Sequence, residues 1–252
     1  MYKQYIEALQ GRLQEHADPK AKAWWAAYVK QGAPYIGVKM PVVRSVLHKW
    51  YRQGVAGNLH LDQQKELALA LFREKHAEDK LAGILFLQEI LFPAGGVGCG
   101  QDLDRFAELF TGEHIYDWNI CDWFCVKVLG PLIQKEGEQC AEAVSEWHSA
   151  ANLWQARASV VAFVPVAEHS EYYPLIQQSC EVLIRREERF AKTAVGWILR
   201  DISKYDEPFV KRFIEANIAH FSLESLRNAL KYFSQEERDT YIRLSRNASI
   251  TP

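Results

Sequence analysis

Apolar residues recur at helical spacing through almost the whole of this chain, and no run of alternating β-branched residues makes a convincing strand. The spacing predicts about a dozen short helices joined by short turns. Residues 1–14 form an amphipathic segment. Asp18-Pro19 reads as an N-cap followed by proline at the first helical position, opening a helix to about Gln31. Pro41 opens a helix over 42–53 that Gly54 stops, and Asp62 marks the start of one over 61–74. Further helices are expected over 80–92, ended by Pro93, and over 103–110, 118–129, 140–150, 154–164, 173–186, 190–203, 208–219, 223–233 and 235–245. So many short helices cannot share one core: they form two bundles or stack in pairs. Helix pairs recur about every 35–40 residues, the scale of HEAT-type repeats, which favours stacking. The expectation is an all-α solenoid, one domain over residues 1–252, whose inner helices line a concave groove.

Composition narrows the class. With 48% hydrophobic and 25% charged residues, the chain is neither wholly disordered nor low in complexity. No stretch approaches the ~18 uninterrupted apolar residues of a membrane span, and the first 14 residues lack the apolar centre of a signal peptide. Five cysteines, an odd number without a secretory signal, read as reduced thiols in a cytoplasmic protein. Cys121 and Cys125 lack the spacing and the histidine neighbours of a zinc site and read as core residues, so no metal is expected.

Net charge is −2, which by itself does not suggest a nucleic-acid binder. Its distribution is uneven. Residues 1–60 carry nine Lys/Arg against three Asp/Glu, and residues 61–150 carry seven against sixteen. That pattern allows one basic face, although charge alone is explained as well by solvated helix surfaces. The run Gly95-Gly96-Val97-Gly98-Cys99-Gly100 follows a helix and precedes Gln101-Asp102 instead of Lys-Ser/Thr. It therefore reads as a flexible helix-to-helix connection and not as a phosphate cradle.

Trp118 and Asp122 are four residues apart and share a helix face, where Asp122 flanks the apolar stripe of Ile120, Cys121, Phe124, Val128 and Leu132. On that helix alone, a structural aspartate pairing with a neighbour is the simpler reading. Arg157 lies 35 residues after Asp122, and Trp197 lies 40 residues after Arg157. In a solenoid this is about one repeat per step, which would set Trp118, Asp122, Arg157 and Trp197 in a row along the groove. Two flat aromatics, an acid and a cation suit a ligand with a ring and a phosphate.

The segment Phe190-Ala191-Lys192-Thr193-Ala194-Val195-Gly196-Trp197-Ile198-Leu199-Arg200-Asp201 is similar to a stretch of the AlkD-like DNA alkylation repair glycosylases. Trp118 with Asp122, Asn152 with Trp154 and Arg157, and Tyr35 to Pro41 after Tyr28 follow the same family order, so the chain resembles that family from Ala23 to about Tyr232. The resemblance implies a right-handed α-solenoid of stacked antiparallel helix pairs, built from HEAT-like repeats around a DNA-binding groove. It implies a catalytic carboxylate at Asp122, groove tryptophans at Trp118 and Trp197, and an active-site arginine at Arg157. It also implies an aromatic near the lesion strand at Tyr28 and phosphate-facing cations at Arg200, Lys204, Arg227 and Lys231. Lys39 stands where a relative has glutamine, Asp117 where it has a second tryptophan, and the glycine-rich run is longer.

The chemistry follows from the leaving group. Hydrolysis of a sugar–base bond passes through a positively charged sugar, and neutral leaving groups need an acid, hence the usual two carboxylates of glycosidases. An N3- or N7-alkylated purine is already cationic, so one carboxylate suffices to stabilise the sugar and orient water. The resemblance further implies a monofunctional glycosylase without metal or nucleotide cofactor, and the expectation is a monomer acting on alkylated duplex DNA at the bacterial nucleoid and not on a membrane. The same resemblance implies that it works without swinging the base into a pocket, in contrast to base-flipping enzymes. The alternatives are a non-catalytic HEAT-repeat protein that binds damaged or branched DNA, and a protein-binding scaffold.

Overall fold

The structure is a computed structural model describing residues 2–248. Helix makes up 76% of it and no strand occurs among the described residues, which excludes any mixed sheet architecture. The chain divides into two compact units, Met1–Val128 and Leu129–Pro252.

The first unit contains α1 (Lys3–Gln14), α2 (Pro19–Val29), α3 (Met40–Gln53), α4 (Leu61–Phe72), α5 (Ala77–Phe86), α6 (Cys99–Thr111) and α7 (Trp118–Phe124). Helices α1, α3, α5 and α7 pack each on the next, and α4 packs against α5. Every residue of α5 is buried, including Glu78, Asp79 and Lys80. Such charges are tolerated inside only when fully bonded. Glu78 accepts three backbone N–H groups, from Ile36 (3.0 Å), Gly37 (2.8 Å) and Val38 (3.0 Å). Asp79 accepts from Gln10 Nε2 at 3.2 Å and from the His76 N–H at 3.3 Å, yet burial still pushes its carboxyl up to about 6. Lys80 donates to the Phe72 carbonyl at 2.5 Å, and burial lowers its ammonium below the usual lysine range.

The second unit contains α8 (Gly130–Glu136), α9 (Glu138–Ser145), α10 (Leu153–Val161), α11 (Tyr173–Leu183), α12 (Arg189–Ile202), α13 (Glu207–Asn217), α14 (Leu223–Ala229) and α15 (Gln235–Ala248). Here α10, α12 and α14 pack in sequence, and α11 packs on α9, α10 and α12. Helices α12 and α14 approach closely: a Cβ added at Gly196 would lie 2.4 Å from the Ser225 carbonyl oxygen. Only glycine lets the two backbones meet at this point.

Both units are thus stacks of paired helices, as the periodicity predicts. The expected boundaries hold where caps mark them. Asp18 accepts the Lys20 N–H at 2.8 Å with Pro19 at the first position. They fail in three places. The segment expected as one helix over 80–92 starts at Ala77, because Glu78 and Asp79 turn inward, and it continues past Phe86 as a π-helical turn over Leu87–Leu91. The helix expected over 118–129 likewise passes from α7 into a π-helical turn, Cys125–Leu129. The helix expected over 103–110 starts at Cys99, so the last two residues of the glycine-rich run, Cys99 and Gly100, are helix and not a flexible connection. The buried Asp102 explains this: it accepts the Gly98 N–H at 3.0 Å and binds Lys65 Nζ at 2.8 Å, which pins the start of α6.

The α12–α14 contact makes a prediction. Gly196→Ala should lower the unfolding free energy by about 1–3 kcal/mol, the usual cost of overpacking, as read by chemical denaturation. Wild-type stability would mean that the two helices move apart freely.

Candidate functional site

In the first unit the site forms around the start of α7. Asp117 caps this helix, its Oδ1 accepting the Ile120 N–H at 2.9 Å, while Oδ2 accepts the Ala33 N–H at 2.9 Å. One buried carboxylate thereby ties the segment after α2 to the first turn of α7. That segment is demanding to build. Lys30 and Gln31 have positive φ, and Gly37, at φ 99°, brings its α-carbon so close to the Asp18 carbonyl that a Cβ would lie 2.2 Å away. Glu78 then binds the N–H groups of 36–38 from below.

These tethers set five aromatic rings against one another. Trp25 stacks on Tyr35 at 5.0 Å, and Tyr35 Oη accepts from Asn119 Nδ2 at 2.7 Å. Burial, and then the nearby charge of Asp117, raises the Tyr35 phenol above its ordinary range. Tyr28 meets the Trp118 ring edge-on at 5.3 Å and stacks on Trp24 at 4.9 Å. Trp118 Nε1 donates to the Val29 carbonyl at 3.4 Å. Asp122 follows one turn after Trp118 and is half-buried, so its carboxylate lies at the edge of the core. The apolar stripe that it flanks is buried as expected, from Ile120 and Cys121 through Phe124, Val128 and Leu132. Lys39 is exposed at the start of α3.

In the second unit Arg157 differs from a surface cation. It is 4% exposed, and its Nη1 donates to the Phe190 carbonyl at 2.6 Å and to Thr193 Oγ1 at 3.2 Å. It thus holds the first turn of α12, the helix that carries Trp197. Trp197 is half-buried, with the Arg200 guanidinium 5.7 Å from its ring centre. Arg200 also donates to Asp201 Oδ2 at 2.7 Å, and the other oxygen of that carboxylate takes the Lys204 ammonium. The bond to Asp201 raises the Lys204 ammonium above its usual range. Lys204 and Lys231 approach the Tyr232 ring at 5.3 and 5.9 Å, and Arg227 is exposed on α14.

Each sequence-derived candidate is therefore placed, with Tyr28, Lys39, Trp118 and Asp122 in the first unit and Arg157, Trp197, Arg200, Lys204, Arg227 and Lys231 in the second. Sequence reasoning missed Glu78 and Asp201, and it noted Asp117 only as a departure. A D-W-N opening to a helix is a capping signal that could have been read for Asp117. Among the described residues no three His, Cys, Asp or Glu side chains converge as metal ligands.

The double role of Asp117 makes a prediction. Asp117→Ala removes a helix cap and leaves the buried Ala33 N–H unpaired, a combined cost of about 2–4 kcal/mol. Denaturant unfolding of the variant measures this. A loss below half a kilocalorie would show that water replaces the carboxylate.

Comparison with known proteins accords with the fold. The chain matches the model of the family described as DNA alkylation repair enzyme over residues 9–233. Among solved structures, an Enterococcus faecalis protein described as a predicted DNA alkylation repair enzyme matches with a TM-score of 0.73 at 16% identity, covering 87% of this chain and 98% of its own. No curated protein matches. The family match takes in both sets of candidate residues, α2 to α7 and α10 to α14, and on that extent the chain belongs to the DNA alkylation repair enzyme family.

Proposed function

We propose that the protein is a DNA glycosylase that hydrolyses the N-glycosidic bond of cationic N3- and N7-alkylated purines in duplex DNA. The observation that carries this reading is the half-buried Asp122 one helical turn after Trp118, in a chain of an alkylation-repair family. As the bond to the base lengthens, its electron pair goes to the base, which leaves neutral because it began as a cation. Positive charge develops on the deoxyribose. Asp122 stabilises that charge and orients the water whose oxygen bonds to the sugar carbon, and the water's proton passes to solvent. Partial desolvation at the core edge strengthens this attraction relative to a fully solvated carboxylate. Trp118 and Trp197 pack against the sugar and add a cation–π contribution as its charge grows.

Arg200, Lys204, Arg227 and Lys231 contact phosphates, with Lys39 and Tyr28 nearer the lesion strand. Arg157 acts through α12: its guanidinium fixes the turn that leads to Trp197, and any phosphate contact is made from that buried position. The alkylated base is not enclosed in a protein pocket, so adduct size is not limiting. The route uses neither a metal nor a nucleotide cofactor, and one chain suffices.

The test is incubation of the protein with methylated duplex DNA and identification of the bases released. 7-Methylguanine and 3-methyladenine should appear, while uracil and hypoxanthine, which leave as poor neutral or anionic groups, should not. Uracil release at a comparable rate would contradict the cationic-leaving-group argument. Tight binding without any release would make the protein a non-catalytic binder of damaged DNA.

A further inference from the structure

Helix α2 is built unlike its neighbours. Of its eleven residues only Val29 is buried, and Trp24 and Tyr28 are 57% and 55% exposed. Their rings are nearly parallel, 18° apart at a centroid distance of 4.9 Å. Exposing two large adjacent aromatics is unfavourable in a free surface and marks a binding site. The surroundings identify the class of ligand. Helix α2 has no acidic residue, and Lys20, Lys22, Lys30 and Lys39 are all exposed around it. None of these four lysines makes an ion pair among the described residues. The stack also leads directly to the reaction centre, since Tyr28 touches the Trp118 ring edge-on and Asp122 lies one turn beyond.

We propose that Trp24 and Tyr28 form a stacking platform for the face of a nucleobase that has lost its pairing partner at the damaged position. This rests on the DNA-repair reading above and adds to it a site that recognises disrupted pairing. Two stacked, nearly parallel rings continue a column of bases in the geometry that every base accepts. A base in an intact duplex has both faces covered by its neighbours, so only a displaced base can use the platform. The unpaired lysines neutralise the phosphates on either side of that base. A second copy of this chain is disfavoured as the occupant, because two such lysine-rimmed faces repel each other.

The experiment uses the full chain as wild type, Trp24→Ala and Trp24→Phe. Two duplexes differ in one position, where 2-aminopurine is paired with thymine or faces a tetrahydrofuran abasic analogue. Wild type should bind the unpaired duplex at least about fivefold more tightly than the paired one and quench the 2-aminopurine emission on binding. Trp24→Phe should keep most of that preference. Trp24→Ala should lose both preference and quenching while binding the paired duplex within about twofold of wild type. Trp24→Gln serves the same purpose if the alanine variant fails to fold. The proposal is overturned if preference and quenching survive in Trp24→Ala, or if both duplexes are weakened equally. A wild-type dimer in sedimentation that Trp24→Ala dissolves would also overturn it. Bases released from methylated DNA are measured on the same proteins. Release without a Trp24-dependent preference rejects the platform alone. The preference without release rejects the glycosylase reading alone.

Discussion

A single carboxylate, that of Asp117, connects two stretches of chain that are far apart in sequence. One oxygen starts α7 and the other holds the N–H of Ala33. The positions of Tyr28, Trp118 and Asp122 depend on that bridge: Asp117 fixes where α7 begins, and so the azimuth of Trp118 and of Asp122 one turn later. The segment after α2 carries unfavourable backbone at Lys30 and Gln31, and it keeps that shape because Asp117 and Glu78 together accept four of its N–H groups. An ionised acceptor bonded to backbone N–H groups is stronger than a neutral one, so buried acids suit this task.

The second unit uses charge in the same way. Arg157 could have been spent on solvent or ligand, yet its Nη1 hydrogen bonds go to α12, the Phe190 carbonyl and Thr193. Asp201 draws Arg200 and Lys204 together at the other end of that helix. Gly196 lies between them and lets α14 approach, which brings Tyr232 and Lys231 alongside Lys204. One helix thus carries its tryptophan, its cations and its packing contact within a few turns.

Much of this was legible in the sequence, because helices announce themselves by period and by caps. Asp18-Pro19 and the buried stripe from Ile120 to Leu132 are local signals, and they are in place in the structure. What could not be read was long-range. Glu78, Asp79 and Lys80 look like a solvated first turn, and only partners 40 or more residues away in sequence, or a carbonyl on the preceding helix, make them interior. Arg157 was expected in the groove, but its buried bonds to the first turn of α12 were out of reach of the sequence for the same reason. Asp102 follows a glycine-rich run whose composition suggested flexibility, and its bonds to Gly98 and Lys65 make the end of that run the start of a helix. Trp24 and Trp25 are adjacent and chemically alike, yet one is exposed on Tyr28 and the other stacks on the buried ring of Tyr35.

The central claim is electrostatic: one aspartate stabilises the charged sugar while a cationic base departs unaided. Single-turnover release of 7-methylguanine from a defined duplex, compared between wild type and Asp122→Asn, tests it most directly. Loss of the carboxylate charge should slow release by about tenfold to a thousandfold, with duplex affinity nearly unchanged. Release at the wild-type rate would show that Asp122 is a structural residue and that the charge is stabilised from elsewhere.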